Sequence, residues 1–146
     1  MSVNVEVAGE AAYVRIEVIG YENPAAQNIS DANWVTCRVE VRVRGFVGHV
    51  DASFTTQDFV AFSTSLRPAV AGLQGEAVFE TDEDALRLSV KFSATGRATV
   101  TGMLRDSDRP QTTLAFAFET DQTFIRDTVE GLDEVVQQFP VCGNPT

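Results

Sequence analysis

A single histidine, His49, and two cysteines, Cys37 and Cys142, are all the imidazole and thiol groups that this 146-residue chain contains. That is too few for the three or four protein ligands of a zinc centre. Two thiols without a Cys-x-x-Cys spacing give neither a disulfide framework nor a redox motif, so both are expected to be free and buried or idle. Basic residues are also scarce: eleven Lys and Arg against twenty-one Asp and Glu leave a formal net charge of -10, and of the eleven only Lys91 is a lysine. Phosphate backbones are bound by clustered Lys and Arg, so a nucleic acid is not the expected partner. A basic protein partner, or simple solubility, suits the charge better. No apolar run approaches the ~20 residues of a membrane span, and the first ten residues lack the basic and apolar regions of a secretory signal. No membrane is expected, and the expected address is cytoplasmic. The G-x-S-x-G, Walker-type and dinucleotide-binding glycine patterns are missing, which removes those hydrolase and nucleotide chemistries.

What remains is an ordinary globular composition, 44% hydrophobic and 22% charged, of a length that one domain over residues 1–146 accommodates. Residues 1–2 and 141–146 are expected to be flexible ends. Val14, Ile16 and Val18 alternate with Arg15 and Glu17, the period of a half-buried strand. The stretch from Gly20 to Asn33, with Asn23-Pro24, Ser30 and Asp31, reads as a loop. Alternation returns with Val35, Cys37, Val39, Val41 and Val43 on one face and Thr36, Arg38, Glu40, Arg42 and Arg44 on the other. Gly45 suits a reversal through its tolerance of positive φ, after which Phe46, Gly48, Val50, Ala52 and Phe54 share a face. Further strands are predicted near Glu76–Glu80, over Leu86 to Phe92, over Ala98 to Leu104 after a turn at Thr95-Gly96, and over Leu114, Phe116 and Phe118.

Two helices are predicted. The first follows a Thr55 or Thr56 cap with Phe59, Phe62, Leu66 and Val70 at helical spacing, and Pro68 is expected to end or kink it, leaving it short. The second starts at an Asp121 cap and carries Phe124, Ile125, Thr128, Leu132, Val135 and Phe139 along one stripe, stopping at Pro140. The fold class expected is therefore α+β: one antiparallel sheet meandering through most of the chain, with a mid-chain and a C-terminal amphipathic helix packed on it. No internal repeat is visible in the residues themselves.

Two clusters of carboxylates are candidate partner-binding sites. Glu80, Asp82, Glu83 and Asp84 form an acidic corner with no basic residue between them, which suits either a solvated hairpin or a surface that steers a cationic protein. Asp127, Glu130, Asp133 and Glu134 on the last helix admit the same two readings. The corner lacks the spaced acidic loop of a calcium site, so no metal or cofactor is expected. His49 and Asp51 are two residues apart and could pair, but a nucleophile for them to serve is not apparent, and no catalytic set is expected. Arg38, Arg42 and Arg44 read as the charged face of an exposed strand that resists edge-to-edge association. Trp34 reads either as a cap on a core edge or, if exposed, as an anchor for a partner.

The order of Asp31-x-x-Trp34, Gly45-Phe46-x-Gly48, Thr56-x-Asp58-Phe59, Leu86-x-Leu88, Thr95-Gly96-Arg97-x-Thr99-Val100 and Phe118-Glu-Thr-Asp121-Gln122 resembles that of the WapI-type immunity proteins, over about Asn28 to Phe139. The resemblance implies a small bacterial protein that neutralises the toxic C-terminal domain of a large contact-dependent toxin. It assigns no functional residue by position. The expected function is thus a non-enzymatic inhibitor of a cognate toxin, a cationic nuclease among the candidates. The alternative from a different class is an accessory domain with a small-molecule pocket between sheet and helices.

Overall fold

The computed structural model describes residues 2–142. Eight strands and three helices succeed one another as β1 (Val3–Ala8), β2 (Ala12–Tyr21), α1 (Ile29–Ala32), β3 (Trp34–Val43), β4 (Phe46–Thr55), α2 (Thr56–Gly72), β5 (Glu76–Phe79), β6 (Leu86–Phe92), β7 (Arg97–Arg105), β8 (Thr113–Asp121) and α3 (Gln122–Gln138). The class is α+β and mostly antiparallel sheet, as the alternation predicts. The single meander expected from the sequence is two, however. β1-β2-β3-β4 form one four-stranded sheet and β5-β6-β7-β8 another. α2 intervenes between β4 and β5, so β4 ends the first sheet as an edge strand and never pairs with β5.

Apart from the short α1 between β2 and β3, the same element order thus occurs twice: a four-stranded antiparallel meander leading into a 17-residue helix. The repeat lies in burial rather than in residue identity. Phe59, Phe62, Leu66 and Ala69 are buried at positions four, seven, eleven and fourteen after the Thr55 cap, and Ile125, Thr128, Leu132 and Val135 at the same positions after the Asp121 cap. Phe opposite Ile and Phe opposite Thr share a spacing but no side-chain chemistry, which is why sequence inspection passes over it. Among the strands, each helix packs chiefly on the first one of the other half, α2 on β5 and α3 on β1. Gly131 permits the second contact: a Cβ there would lie 3.1 Å from the Asn4 carbonyl oxygen and 3.4 Å from Val5 Cα.

Inward side chains of both sheets and both helices make one core, from Val5, Val14, Val39 and Val41 in the first sheet to Leu88, Val90 and Val100 in the second. Its centre is aromatic. Phe79 of β5 packs against Phe54 of β4 and against Phe59 and Phe62 of α2, with centroid separations of 5.1, 5.4 and 5.6 Å.

Several local expectations change. β1, absent from the predicted strands, alternates Val3, Val5 and Val7 into the core. β2 extends to Tyr21, and Asn28 caps the short α1 by accepting from the Asp31 N–H at 2.9 Å, so the stretch expected to be loop is partly ordered. α2 continues through Pro68 to Gly72. An internal proline costs about 3 kcal/mol, but Ala69 and Val70 beyond it are buried and Leu73 packs on the core, which offsets the loss. In the two-residue β3–β4 turn it is Arg44, with φ 55°, that takes the left-handed conformation rather than Gly45. Of the arginine stripe, Arg38 and Arg42 lie on β3, which is paired on both sides, and Arg44 lies in the turn, so edge protection does not fall to them. Of the ends expected to be flexible, residues 143–146 and Met1 lie outside the described residues. The Cys142 backbone exchanges hydrogen bonds with the Asn33 side chain at 2.7 and 2.8 Å.

The packing and the turn each generate a stability outcome. Phe79→Ala removes the ring on which three others converge and should cost about 3–5 kcal/mol in denaturant unfolding. Arg44 is exposed with no ion pair among the described residues, so Arg44→Gly should relieve its left-handed strain and raise stability by about 0.5–1 kcal/mol in the same measurement.

Candidate functional site

A groove of about 790 Å³ runs along the outer face of β3 and β4 and is bordered on its far side by the β5–β6 and β7–β8 loops. β3 contributes Thr36, Arg38 and Glu40; the loops contribute Glu83, Asp106 and Asp108. From β4 the wall is formed by five consecutive residues, His49 to Ser53. Side chains of a strand alternate between faces, so a run of consecutive lining residues means that the strand's edge itself, backbone included, borders the groove.

The register identifies which backbone groups those are. The Thr56 N–H donates to the Asn33 carbonyl at 2.9 Å, and Asn33 lies opposite Thr56 in continuation of the Trp34–Thr55 pair. Hydrogen-bonded and non-bonded pairs alternate along an antiparallel ladder. Phe46, Gly48, Val50, Ala52 and Phe54 therefore bond to β3, while Val47, His49, Asp51 and Ser53 direct their N–H and C=O groups away from it. The Trp34 carbonyl accepts from Glu22 on the opposite side, in keeping with this phase.

Five carboxylates line the groove (Glu40, Asp51, Glu83, Asp106 and Asp108) against one guanidinium, that of Arg38. Two of the five are occupied. Arg38 pairs with Asp51 at 3.4 Å, directly across the strands, and Glu40 accepts a hydrogen bond from the Tyr13 hydroxyl and lies 3.7 Å from Arg15. The bond to Glu40 raises the Tyr13 pKa, keeping the phenol protonated and donating. Asp106 accepts from the Asp108 N–H at 2.9 Å within its own loop. Glu83, Asp106 and Asp108 have no cation within ion-pair distance among the described residues.

The predicted site residues divide. Glu83 enters the groove, while Glu80 and Asp82 are exposed beside it and Asp84 lies 3.9 Å from Arg105. On α3, Asp127, Glu130 and Glu134 are exposed, whereas Asp133 is bound to Arg67 of α2 and ties the helices together. No ion pair, hydrogen bond or lined cavity joins the corner to the helix cluster among the described residues. His49 and Asp51 both line the groove, but the partner of Asp51 is Arg38, because directly opposed cross-strand residues approach more closely than i, i+2 neighbours. Trp34 is half-buried on the same outer face as Thr36. Sequence reasoning missed Asp106 and Asp108, in a stretch that reads simply as a polar loop; their acidity was visible, their position opposite β4 was not.

The profile of the Immunity protein WapI-like family matches residues 7–140. The chain belongs to this family. The match includes every residue that lines the groove. Toxin immunity is the general role of the family, and it implies a cognate toxin as partner of this WapI-like chain. No match to a curated protein reaches significance. No helix among the described residues is long and apolar enough to cross a membrane.

The thiols stand apart from the groove. Cys37 is fully buried on the inner face of β3, and burial pushes its pKa well above the ordinary thiol range; Cys142 is exposed. A native sample treated with a maleimide at about pH 8 should label once, at Cys142, and twice after denaturation. Raising the pH to about 9, where an ordinary thiol ionises, should still leave Cys37 unlabelled in the folded chain, as mass spectrometry of the peptides would read.

Proposed function

We propose that the chain is a non-enzymatic cytoplasmic inhibitor that binds its cognate toxin domain and occludes it, and that the toxin surface it covers is basic. The observation that carries this reading is the groove, where, among the described residues, Glu83, Asp106 and Asp108 meet no cation and the one lining guanidinium is already paired to Asp51. A cationic partner, such as a nuclease domain whose substrate cleft is basic, supplies the missing charge. The exposed Glu80 and Asp82 extend the field outward from Glu83, and Asp84 adds to it where its contact with Arg105 is long and exposed. The exposed Asp127, Glu130 and Glu134 of α3 are a second acidic surface that could widen the contact toward the roughly 800 Å² per partner of a specific interface. Asp133 belongs to that cluster in sequence but contributes less, being paired with Arg67.

Small-molecule pockets are mostly apolar and enclosed. The groove is open and charged, so it lends no support to a metabolite as the ligand.

Immunity itself is tested by growth of cells that produce the cognate toxin domain, with and without this chain. Absence of protection would end the reading. For the charge, reversal of Glu80, Asp82, Glu83 and Asp84 to Lys should slow association with the toxin domain about tenfold or more at low ionic strength, where steering acts. At about 0.5 M salt the difference should shrink, because exposed charges are then screened. All four side chains are exposed, so the melting temperature should change little. Equal association rates would remove the corner from the interface.

A further inference from the structure

We infer that the edge of β4 receives an extended, basic segment of the toxin as a fifth strand of the first sheet. The inference rests on the immunity reading and specifies how the partner is held: by backbone pairing along β4, with the side chains of the added strand meeting the carboxylates across the groove.

Of the four sheet edges, β4 and β8 keep uncapped backbone groups among the described residues, and of these two β4 is the one that borders the acidic groove. Carbonyls of β1 are taken by α3 and β8, the Thr128 hydroxyl donating to Glu6 at 2.7 Å and the Thr120 hydroxyl to Ala8 at 2.5 Å. β5 has four residues and lies under α2. β8 is met at its Glu119 end by the β1–β2 hairpin, so closely that a Cβ on Gly9 would stand 2.2 Å from the Glu119 carbonyl oxygen. β4 has ten residues, and no hydrogen bond among the described residues caps the outward N–H and C=O groups of Val47, His49, Asp51 and Ser53. Of the usual defences of a free edge it carries no proline, lysine or arginine, and its one carboxylate, Asp51, is paired with Arg38. An unprotected edge beside a groove is the arrangement that strand addition uses, backbone bonds giving affinity and alternate side chains giving specificity.

Charge selects the occupant. The wall facing the β4 edge holds Glu83, Asp106 and Asp108, none of them in an ion pair among the described residues, so alternate Lys or Arg side chains on the incoming strand are satisfied there, while a second copy of this acidic chain, or any acidic strand, is repelled. The exposed Phe46 and Val47 at the start of β4 offer apolar contact where the added strand leaves the groove.

The probe is an end-capped eight-residue peptide alternating lysine with valine, titrated into the full chain at low ionic strength, with an alternating glutamate–valine peptide as control. Amide exchange by NMR reads the mode of binding. Val47, His49, Asp51 and Ser53 should gain protection on binding the basic peptide, while Gly48, Val50 and Ala52, already bonded to β3, should not change. A variant pair separates backbone from side chain. His49→Pro removes an N–H that β3 does not use, a position where an edge strand tolerates proline, and should weaken binding at least tenfold. His49→Ala keeps the N–H and should bind within about threefold of the unaltered chain. Absence of binding at 1 mM peptide, equal binding of both peptides, protection without the alternate pattern, or equal affinities of His49→Pro and His49→Ala would each overturn the inference. Growth protection is scored separately, so loss of the strand mode leaves the immunity reading standing, and loss of protection removes the toxin as occupant.

Discussion

The packing of Phe54, Phe59 and Phe62 on Phe79 is the contact on which the rest of this structure depends. β4 and β5, joined by α2, belong to different sheets, and the convergence of the rings of these three elements is what turns two meanders into one core. A buried phenylalanine contributes roughly 1.5–3 kcal/mol through its removal from water, and edge-to-face pairs add about 0.5–1.5 kcal/mol each. With α2 docked there, the second sheet begins underneath it, and the outer face of β4 is left facing the loops of that sheet across a groove.

The helices explain which edges are covered. Each extends from one meander and packs on the first strand of the other, so β1 and β5 are sheltered and the closing strands β4 and β8 are not. The two exposed edges then diverge. Beside β8 the β1–β2 hairpin approaches closely, around Gly9, and the lining holds Glu10, Arg44 and Glu119 with several alanines. Beside β4 the facing loops stand further off and carry carboxylates. A repeated architecture thus yields one edge met at its end by a hairpin and one bordered by an acidic groove.

Electrostatics on the first sheet is mostly self-contained. Arg15 lies between Glu6 and Glu40 and over the Tyr13 ring, and Arg38 answers Asp51. Exposed pairs of this kind add at most about 1 kcal/mol, so their consequence is mainly one of sign: they neutralise the sheet face and leave the surplus negative charge on the loops opposite. Beside β4, the negative charge therefore becomes directional through the placement of those loops.

The sequence determined the periodic elements, because alternation and helical spacing are local properties: the strands around Val35–Val43 and Leu86–Leu104, the caps at Thr55 and Asp121, and the α+β class are legible in it. So was the Asn28 to Phe139 pattern of the WapI-like immunity proteins, and with it the general role. Where a local rule met tertiary packing, packing prevailed. Pro68 did not end α2, since buried residues lie beyond it, and Arg44 rather than Gly45 took positive φ, since the register of β3 and β4 places the turn there. The division into two sheets, the pairing of Asp133 with Arg67 and the meeting of Glu83 with Asp106, Asp108 and the β4 backbone were decided only by the tertiary structure. Each depends on residues far apart in the chain, and neither spacing nor composition carries the distance between two loops that fold toward the same strand.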